Sequence, residues 1–333
     1  MKQQNLLTLT FFLAMLFSCE NDRKFLEVKK LHEFKDTRFI PTLEHKITND
    51  NNFVYCATLL FCWHEIKKQT NEPLTIPNKY VDLKLLNQSN SFENVLKSNE
   101  YEVSGVVDEG IIKVRAEFNK SLPFEVALQN FHNKLTFEGQ KVSSFGIFGY
   151  DSYEKLEIVK IVYYQDDNNF IIKLLPKDKE HEIVLFKTNQ SFNSIADMVK
   201  KIEKLTEVGN LEKNNKKTSW KYSYSEEDVV IIPKFNFNIE TNYNTLEGNS
   251  FNSNKQHFQI ESVWQRTAFI LDENGAEIES EVEIVTTETI EKDYEKPKKM
   301  IFDKPFLVLL KRIDNKNPYF GLWTTNAELM VKD

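Results

Sequence analysis

The hydrophobic and polar positions of this chain change rhythm along its length. A continuous apolar block, Leu6 to Phe17, comes first. Residues 20–50 are charged and weakly patterned, and suggest only a short helix around Phe25–Phe34. Asn51 to Lys68 is apolar almost all round until Glu65 and Lys67-Lys68, the pattern of a buried helix emerging into water. A second helix is predicted over Ser91–Ser98. From Gly110 the period falls to two. Ile111–Phe118 alternates, Lys134–Phe148 supplies one or two strands, and Leu156–Tyr164 with Phe170–Leu175 reads as a hairpin across the polar turn Asp166–Asn169. Ser194 caps a helix that places Ile195, Met198, Val199, Ile202 and Leu205 on one face, followed by a polar linker, Asn210 to Ser219. The rest is nearly all strand: 228–239, where Pro233 marks an edge or bulge, then 258–271, 302–311 and 319–325. Helices early and strands late predict an α+β fold, with helices packed on a large, mostly antiparallel β-sheet.

One connection is out of proportion. About thirty residues separate the strand ending near Leu271 from the one opening at Phe302, and structureless loops of that length in compact domains are usually functional. Its first half alternates cleanly. Ala276, Ile278, Ser280, Val282 and Ile284 fall on one face, and Glu277, Glu279, Glu281 and Glu283 on the other, as in a half-buried strand. Residues 286–299 are a charged segment in which Lys292 and Lys296 would suit a trypsin-like protease.

Composition narrows the classes. A hydrophobic fraction of 41% with 26 phenylalanines is enough for a large core, and only 9 glycines and 9 prolines exclude a low-complexity chain. The net charge of −7 is interleaved with no basic stripe, so no nucleic-acid partner is expected. Lys2 and the apolar block form a targeting signal too short to span a bilayer. Leu16-Phe17-Ser18-Cys19 resembles a bacterial lipobox. That resemblance implies diacylglycerol transfer to the Cys19 thiol, palmitate-type acyl chains, and an exported protein held at the cell envelope, on the periplasmic face or the cell surface. The chain then divides into a signal peptide (1–18), a tether and N-terminal segment (19–50) and a folded domain (51–333).

Catalytic chemistry is not legible. The six histidines, at 32, 45, 64, 132, 181 and 257, include no pair at helical metal spacing. No glycine-rich phosphate loop or Gly-x-Ser-x-Gly elbow is present, and Asp166–Asn169 lacks the glycine and glutamate of a calcium loop. No enzyme activity, cofactor or metal is expected. Cys56 and Cys62, six apart on one predicted helix, would lie about 9 Å apart along its axis, too far for a disulfide, and read as two core thiols.

The C-terminal third resembles the serpins. Val230–Leu246 is similar to the serpin strand and following helix that open on a Leu-Pro-Lys-Phe segment, and Ser262–Asp272 stands where serpins place the central strand leading into the reactive loop. Glu273-Asn274-Gly275-Ala276-Glu277 is similar to the hinge, and Asp303–Leu310 with Phe320-Gly321 to the two closing strands. The resemblance implies a hinge at Glu273, Gly275, Ala276 and Glu277 and an insertable strand through Ile278, Ser280, Val282 and Ile284. Counting forward from Gly275 puts the bait position at Thr289; counting back from Pro305 puts it at Tyr294. Two departures matter. The segment between Trp63 and Ile111 is short for the family, and Tyr55-Cys56 stands where serpins have Ser-Pro. Bulky Ile278, Glu279, Glu281 and Val282 replace the small residues of inhibitory members. The expected function is a lipid-anchored serpin-like protein, non-inhibitory or protease-engaging through residues 276–299, with a protease or envelope protein as partner. The alternatives are a suicide-type inhibitor of serine or cysteine proteases, and an envelope ligand-binding lipoprotein unrelated to serpins.

Overall fold

The computed structural model of the chain describes residues 24–70, 73–108, 111–253, 256–276 and 296–332. In chain order, Lys29–Lys30 (β1) leads through a one-turn 3₁₀ helix to Thr37–Ile40 (β2), Asn52–Cys56 (β3), Thr58–Gln69 (α1) and Val81–Gln88 (α2). A hairpin, Glu102–Asp108 (β4) and Ile111–Glu117 (β5), precedes Leu122–Pro123 (β6), Gln129–Phe137 (β7), Gln140–Phe148 (β8) and Tyr153–Ile158 (α3). Val159–Asp166 (β9), Asn169–Leu174 (β10), His181–Lys187 (β11) and Ile195–Lys213 (α4) follow. The last third holds Val229–Pro233 (β12), Phe235–Asn242 (β13), Ser250–Ser253 (β14), Gln256–Gln259 (β15), Trp264–Leu271 (β16), Gly275–Ala276 (β17), Lys299–Ile301 (β18), Phe306–Arg312 (β19) and Phe320–Thr324 (β20).

The largest sheet has seven strands in the order β2-β3-β20-β19-β11-β10-β9, antiparallel except for the β2–β3 pair. Its centre explains why the closing strands are unbroken apolar runs. β19 carries Phe306–Leu310 and β11 carries Ile183–Phe186, all buried, because a strand covered on both faces has no polar side to show. α4 lays Ile195, Met198, Val199 and Ile202 into the core, and Ser194 Oγ caps it by accepting from Asp197 N at 3.1 Å. A second sheet runs β18-β12-β8-β7, and a third runs β1-β13-β16. β16 alternates, burying Gln265, Thr267, Phe269 and Leu271 and leaving Trp264 and Arg266 exposed, so that sheet has one inner face. Pro233 closes β12, and the chain then changes sheets to become β13, so the proline marks a crossing rather than a bulge.

Several local expectations are corrected. Asn51–Lys68 is a strand followed by a helix, not one helix. Asn52–Cys56 is buried throughout because it lies between β2 and β20, and a short apolar run suits either structure until its neighbours are known. Cys56 therefore ends a strand and Cys62 sits on α1; both thiols are free, and burial raises both, Cys62 to about 11. The helix expected over Ser91–Ser98 is a series of turns through Asn94, at φ 57°, and the helix lies earlier, at α2, where Leu83 and Leu86 are buried. Phe25–Phe34 forms β1 and the 3₁₀ turn, so both sheets draw on residues before 51. α4 continues to Lys213 through half of the expected linker. The helix expected after β13 is a turn, in which the Leu246 and Glu247 amides donate to Tyr243 O, followed by the β14–β15 hairpin. The strand leading into the long loop belongs to the three-stranded sheet, not to the seven-stranded one.

Candidate functional site

The residues flanking the long connection are anchored at both ends. At the departing end β16 runs into a tight turn. Asp272 Oδ1 accepts from Asn274 N at 2.8 Å, and Asp272 O accepts from Gly275 N at 3.2 Å. Gly275 has φ +88°, where a side chain is strained. A Cβ there would also lie 2.6 Å from both Leu122 O and Phe124 N, so glycine is required twice over. Beyond the turn, Gly275 and Ala276 pair antiparallel with Pro123 and Leu122. The chain leaving β5 thus meets the chain leaving β16. The Phe124 amide donates to Asn274 O (3.0 Å) and the Leu128 amide to Glu273 O (2.8 Å).

Glu273 fixes the same turn through its side chain. Its carboxylate lies 2.5 Å from the Lys234 ammonium, with the two side chains 17% and 14% exposed, and Asn130 Nδ2 donates to Glu273 Oε1 at 3.2 Å. Lys234 is the residue between β12 and β13, so one ion pair joins the turn to the point where the chain changes sheets. Of the residues assigned to the hinge, Glu273, Gly275 and Ala276 are brought together here. Glu277, the strand positions Ile278, Ser280, Val282 and Ile284, and the bait candidates Thr289 and Tyr294 lie outside the described residues, as does Cys19.

The returning end is held more deeply. β18 pairs in parallel with β12, and just before it Lys298 forms an ion pair with Asp228 at 2.6 Å, the side chains 2% and 0% exposed. Asp228 also accepts from the Lys298 amide (2.7 Å) and the Ser225 amide (2.9 Å). The Lys298 ammonium lies 5.4 Å from the centre of the Trp220 ring and donates to Trp220 O at 3.4 Å. Lys187 Nζ donates to Ile301 O and to the Asp303 carboxylate, both at 2.7 Å. Lys296, one of the two lysines noted in the loop, is 84% exposed along its side chain. The anchors Asp228, Lys298 and Lys187 carry no local sequence signal, since their partners are far along the chain.

A charged cluster gathers around Glu100. Glu100 Oε1 accepts from Lys120 Nζ (2.5 Å) and meets His181 Nε2 at 2.8 Å, and Glu100 Oε2 accepts from Arg312 (3.3 Å). Lys120 stands two residues before β6, the pairing partner of β17. Glu100, Glu180 and His181 place potential metal-ligand atoms within 4.8 Å of one another. Arg312 sits on both carboxylates and Lys120 on Glu100, so protein cations already supply the positive charge a metal would bring.

This cluster sets an acid sensitivity. Burial works to raise the Glu100 carboxyl, but hydrogen bonds from Lys120, the Lys97 backbone and His181 outweigh it and bring it down to about 2. Burial depresses His181, against the opposing pull of Glu100. In both cases the unfolded state binds more protons inside the shifted window, so stability rises with pH there and is lost as pH drops. His181 contributes a loss beginning as pH drops through its ordinary value of 6.5. Glu100 contributes a loss between 4.5 and about 2, on the order of 3 kcal/mol when complete. Denaturant unfolding from pH 7 to pH 3 should show this decline, and Glu100→Gln should be less stable at pH 7 with a flatter profile below 4.5. An unchanged acid limb in that variant would remove Glu100 as the cause.

No protein-family profile matches the chain, and no curated protein matches it. Solved structures that are similar to it include a thermophilic serpin, tengpin, in its native state, at 9% identity over 90% of this chain and 100% of that one, TM-score 0.46. Serpin48 of the insect Tenebrio molitor is 15% identical over 74% of this chain and 63% of its own, TM-score 0.35. Protease nexin-1, solved with heparin, is 12% identical over 61% and 53%, TM-score 0.38. The chain thus spans less than two thirds of the length of the insect serpin. The fold itself is α+β: helices, a large mostly antiparallel sheet, and a long connection between β17 and β18 near the C-terminus.

Proposed function

We propose that this chain is an exported, lipid-anchored serpin-like protein that presents residues 276–299 to proteases at the cell envelope, and that cutting the loop lets its first half enter as a strand beside β16. The observation that carries the reading is the direction of the chain at the hinge. After the Asp272–Gly275 turn it runs antiparallel to its own incoming strand and is already in a ladder with β6. Among the described residues, β16 has a ladder only on its β13 side and β5 only on its β4 side. The alternation of Ala276 to Ile284 gives the loop one apolar face to lay down there.

The chemistry would be the protease's own. Its serine or cysteine attacks the carbonyl of the bait residue, the amine side of the cut bond leaves, and the ester or thioester stays attached to the moving strand. A panel of trypsin-like, chymotrypsin-like and cysteine proteases should yield, with at least one member, an adduct of the combined mass that survives detergent and heat. Clean cleavage by every member, with no adduct, would end the inhibitory part of the proposal. It would favour a non-inhibitory protein whose partner binding survives deletion of 286–299. The branched or charged Ile278, Glu279, Glu281 and Val282 are the specific observation behind that second reading. The anchor is tested separately: radiolabelled palmitate should enter the chain and be lost from Cys19→Ala.

A further inference from the structure

We propose that residues 24–30 are a membrane-contact surface, in which Phe25, Leu26 and Val28 enter the headgroup layer of an anionic bilayer while Lys24, Lys29 and Lys30 pair with its phosphates. The distance part of the inference rests on the lipid anchor proposed for Cys19.

Phe25, Leu26 and Val28 are 45%, 51% and 44% exposed. Among the described residues no other stretch of four positions leaves three large apolar side chains this open. Scattered exposed apolar residues are ordinary, but a contiguous group marks a surface with a partner. The group is also held in place. Leu26 O accepts from Asn238 Nδ2 at 2.8 Å, and Asn238 Oδ1 is in turn bound by Arg266 Nε at 2.8 Å. Lys29 and Lys30 pair in parallel with Ile239 and Glu240, so the segment is the edge of the β1-β13-β16 sheet.

Chain length and charge choose the occupant. Phe25 is six residues past Cys19, and a fully extended chain covers about 20 Å in that distance. A lipid on Cys19 would keep these side chains within that range of the bilayer. From Lys24 to Arg38 five cations face three carboxylates, in a chain whose net charge is −7. Apolar side chains flanked by lysines that can reach headgroup phosphates are what an interfacial segment requires. Docking would do what the lipid alone does not. An acyl anchor fixes distance but leaves orientation free, whereas a docked β1 edge sets the attitude of the sheet that leads into the loop. β16 lies two strands from β1, about 10 Å away at ordinary strand spacing.

The test uses a chain begun at Glu20, which keeps every described strand and helix and carries no lipid. Its partition onto vesicles of equal parts phosphatidylethanolamine and phosphatidylglycerol is measured by co-sedimentation, with phosphatidylcholine vesicles alongside. Binding to the anionic vesicles is expected to fall on the order of tenfold in Phe25→Ser/Leu26→Ser/Val28→Ser. It should fall again as salt is raised, with Lys24→Gln/Lys29→Gln/Lys30→Gln separating the electrostatic share. All six side chains are exposed, and an unchanged thermal melt checks that the variants fold. Equal partition of parent and serine variant would overturn the proposal. So would a parent that ignores vesicles but self-associates through these residues, which would make the surface a contact between copies. Because this chain is unlipidated, the outcome is independent of whether Cys19 is acylated, and the palmitate experiment decides that alone.

Discussion

Cutting the loop between residues 286 and 295 is expected to raise the melting temperature by roughly 10–20 °C. The expectation follows from what an inserted segment would gain. Ordering the nine residues 276–284 costs roughly 1–2 kcal/mol each in backbone entropy. A strand laid between two others gains ladder hydrogen bonds on both sides at about 1 kcal/mol net apiece, which is of the same size. The surplus is the burial of Ile278, Val282 and Ile284, about 1.5–3 kcal/mol each, or roughly 5–9 kcal/mol together. At about 2 °C per kcal/mol for a domain this large, the stated rise results. On the insertion reading, entry before cleavage would oblige residues 285–297 to stretch back from the end of the new strand to the Lys298 anchor, a cost that cutting removes. The measurement is a calorimetric melt before and after limited proteolysis, with the cut located by mass spectrometry. A melting temperature unchanged or lowered by a cut in that range would sink strand entry. Val282→Asp should abolish the rise, measured against its own uncut melt, since it places a charge on the face to be buried.

The course of the backbone was legible where period and neighbours agree. The hairpin expected over Leu156–Leu175 forms over 159–174, its first three residues ending α3 instead. It, the capped helix after Ser194 and the two closing strands follow from local pattern, because their apolar faces match the faces the fold buries. The Asn52–Cys56 strand was not legible. Five buried residues in a row suit a helix or a doubly covered strand equally well, and only β2 and β20 decide between them. Glu273 and Gly275 could be singled out from their resemblance to a known pattern, and both lie in the tight turn after β16. The reasons for their identities, a positive φ and a backbone approach of 2.6 Å at Gly275 and the Lys234 ammonium at Glu273, involve residues up to about 150 positions away. Histidine spacing likewise hid the Glu100–His181 cluster, which is assembled from elements 81 residues apart.

Removing the Asp228 carboxylate should cost more stability than any other single side-chain deletion around the loop. Asp228→Ala is expected to lose about 3–5 kcal/mol, because it leaves the Lys298 ammonium in a site 2% exposed where, among the described residues, Trp220 O and the Trp220 ring are its remaining partners. The converse deletion should be milder. In Lys298→Met the carboxylate keeps two backbone donors, the amides of Ser225 and of residue 298 itself, and a flexible apolar chain fills the space over Trp220. The double variant Asp228→Leu/Lys298→Met should recover most of the loss, since replacing both members of a buried pair by apolar groups is often near neutral. Urea unfolding of the four proteins closes a double-mutant cycle. Equal and additive losses in the two single variants would mean that the pair is not the anchor its geometry suggests. The position of the pair makes the cycle informative about the loop as well. Lys298 directly precedes β18, so Asp228→Ala should speed amide exchange at Met300 and Phe302, while the amides of the Asp272–Gly275 turn, held by Glu273 and Lys234 at the other end, keep their protection. A returning strand freed in this way would also, on the insertion reading, lower the cost of entry for residues 276–284. On the insertion reading, the variant's second loop end becomes a substitute for the cut, and its melting curve should gain a slow, irreversible drift toward the more stable form on prolonged warming.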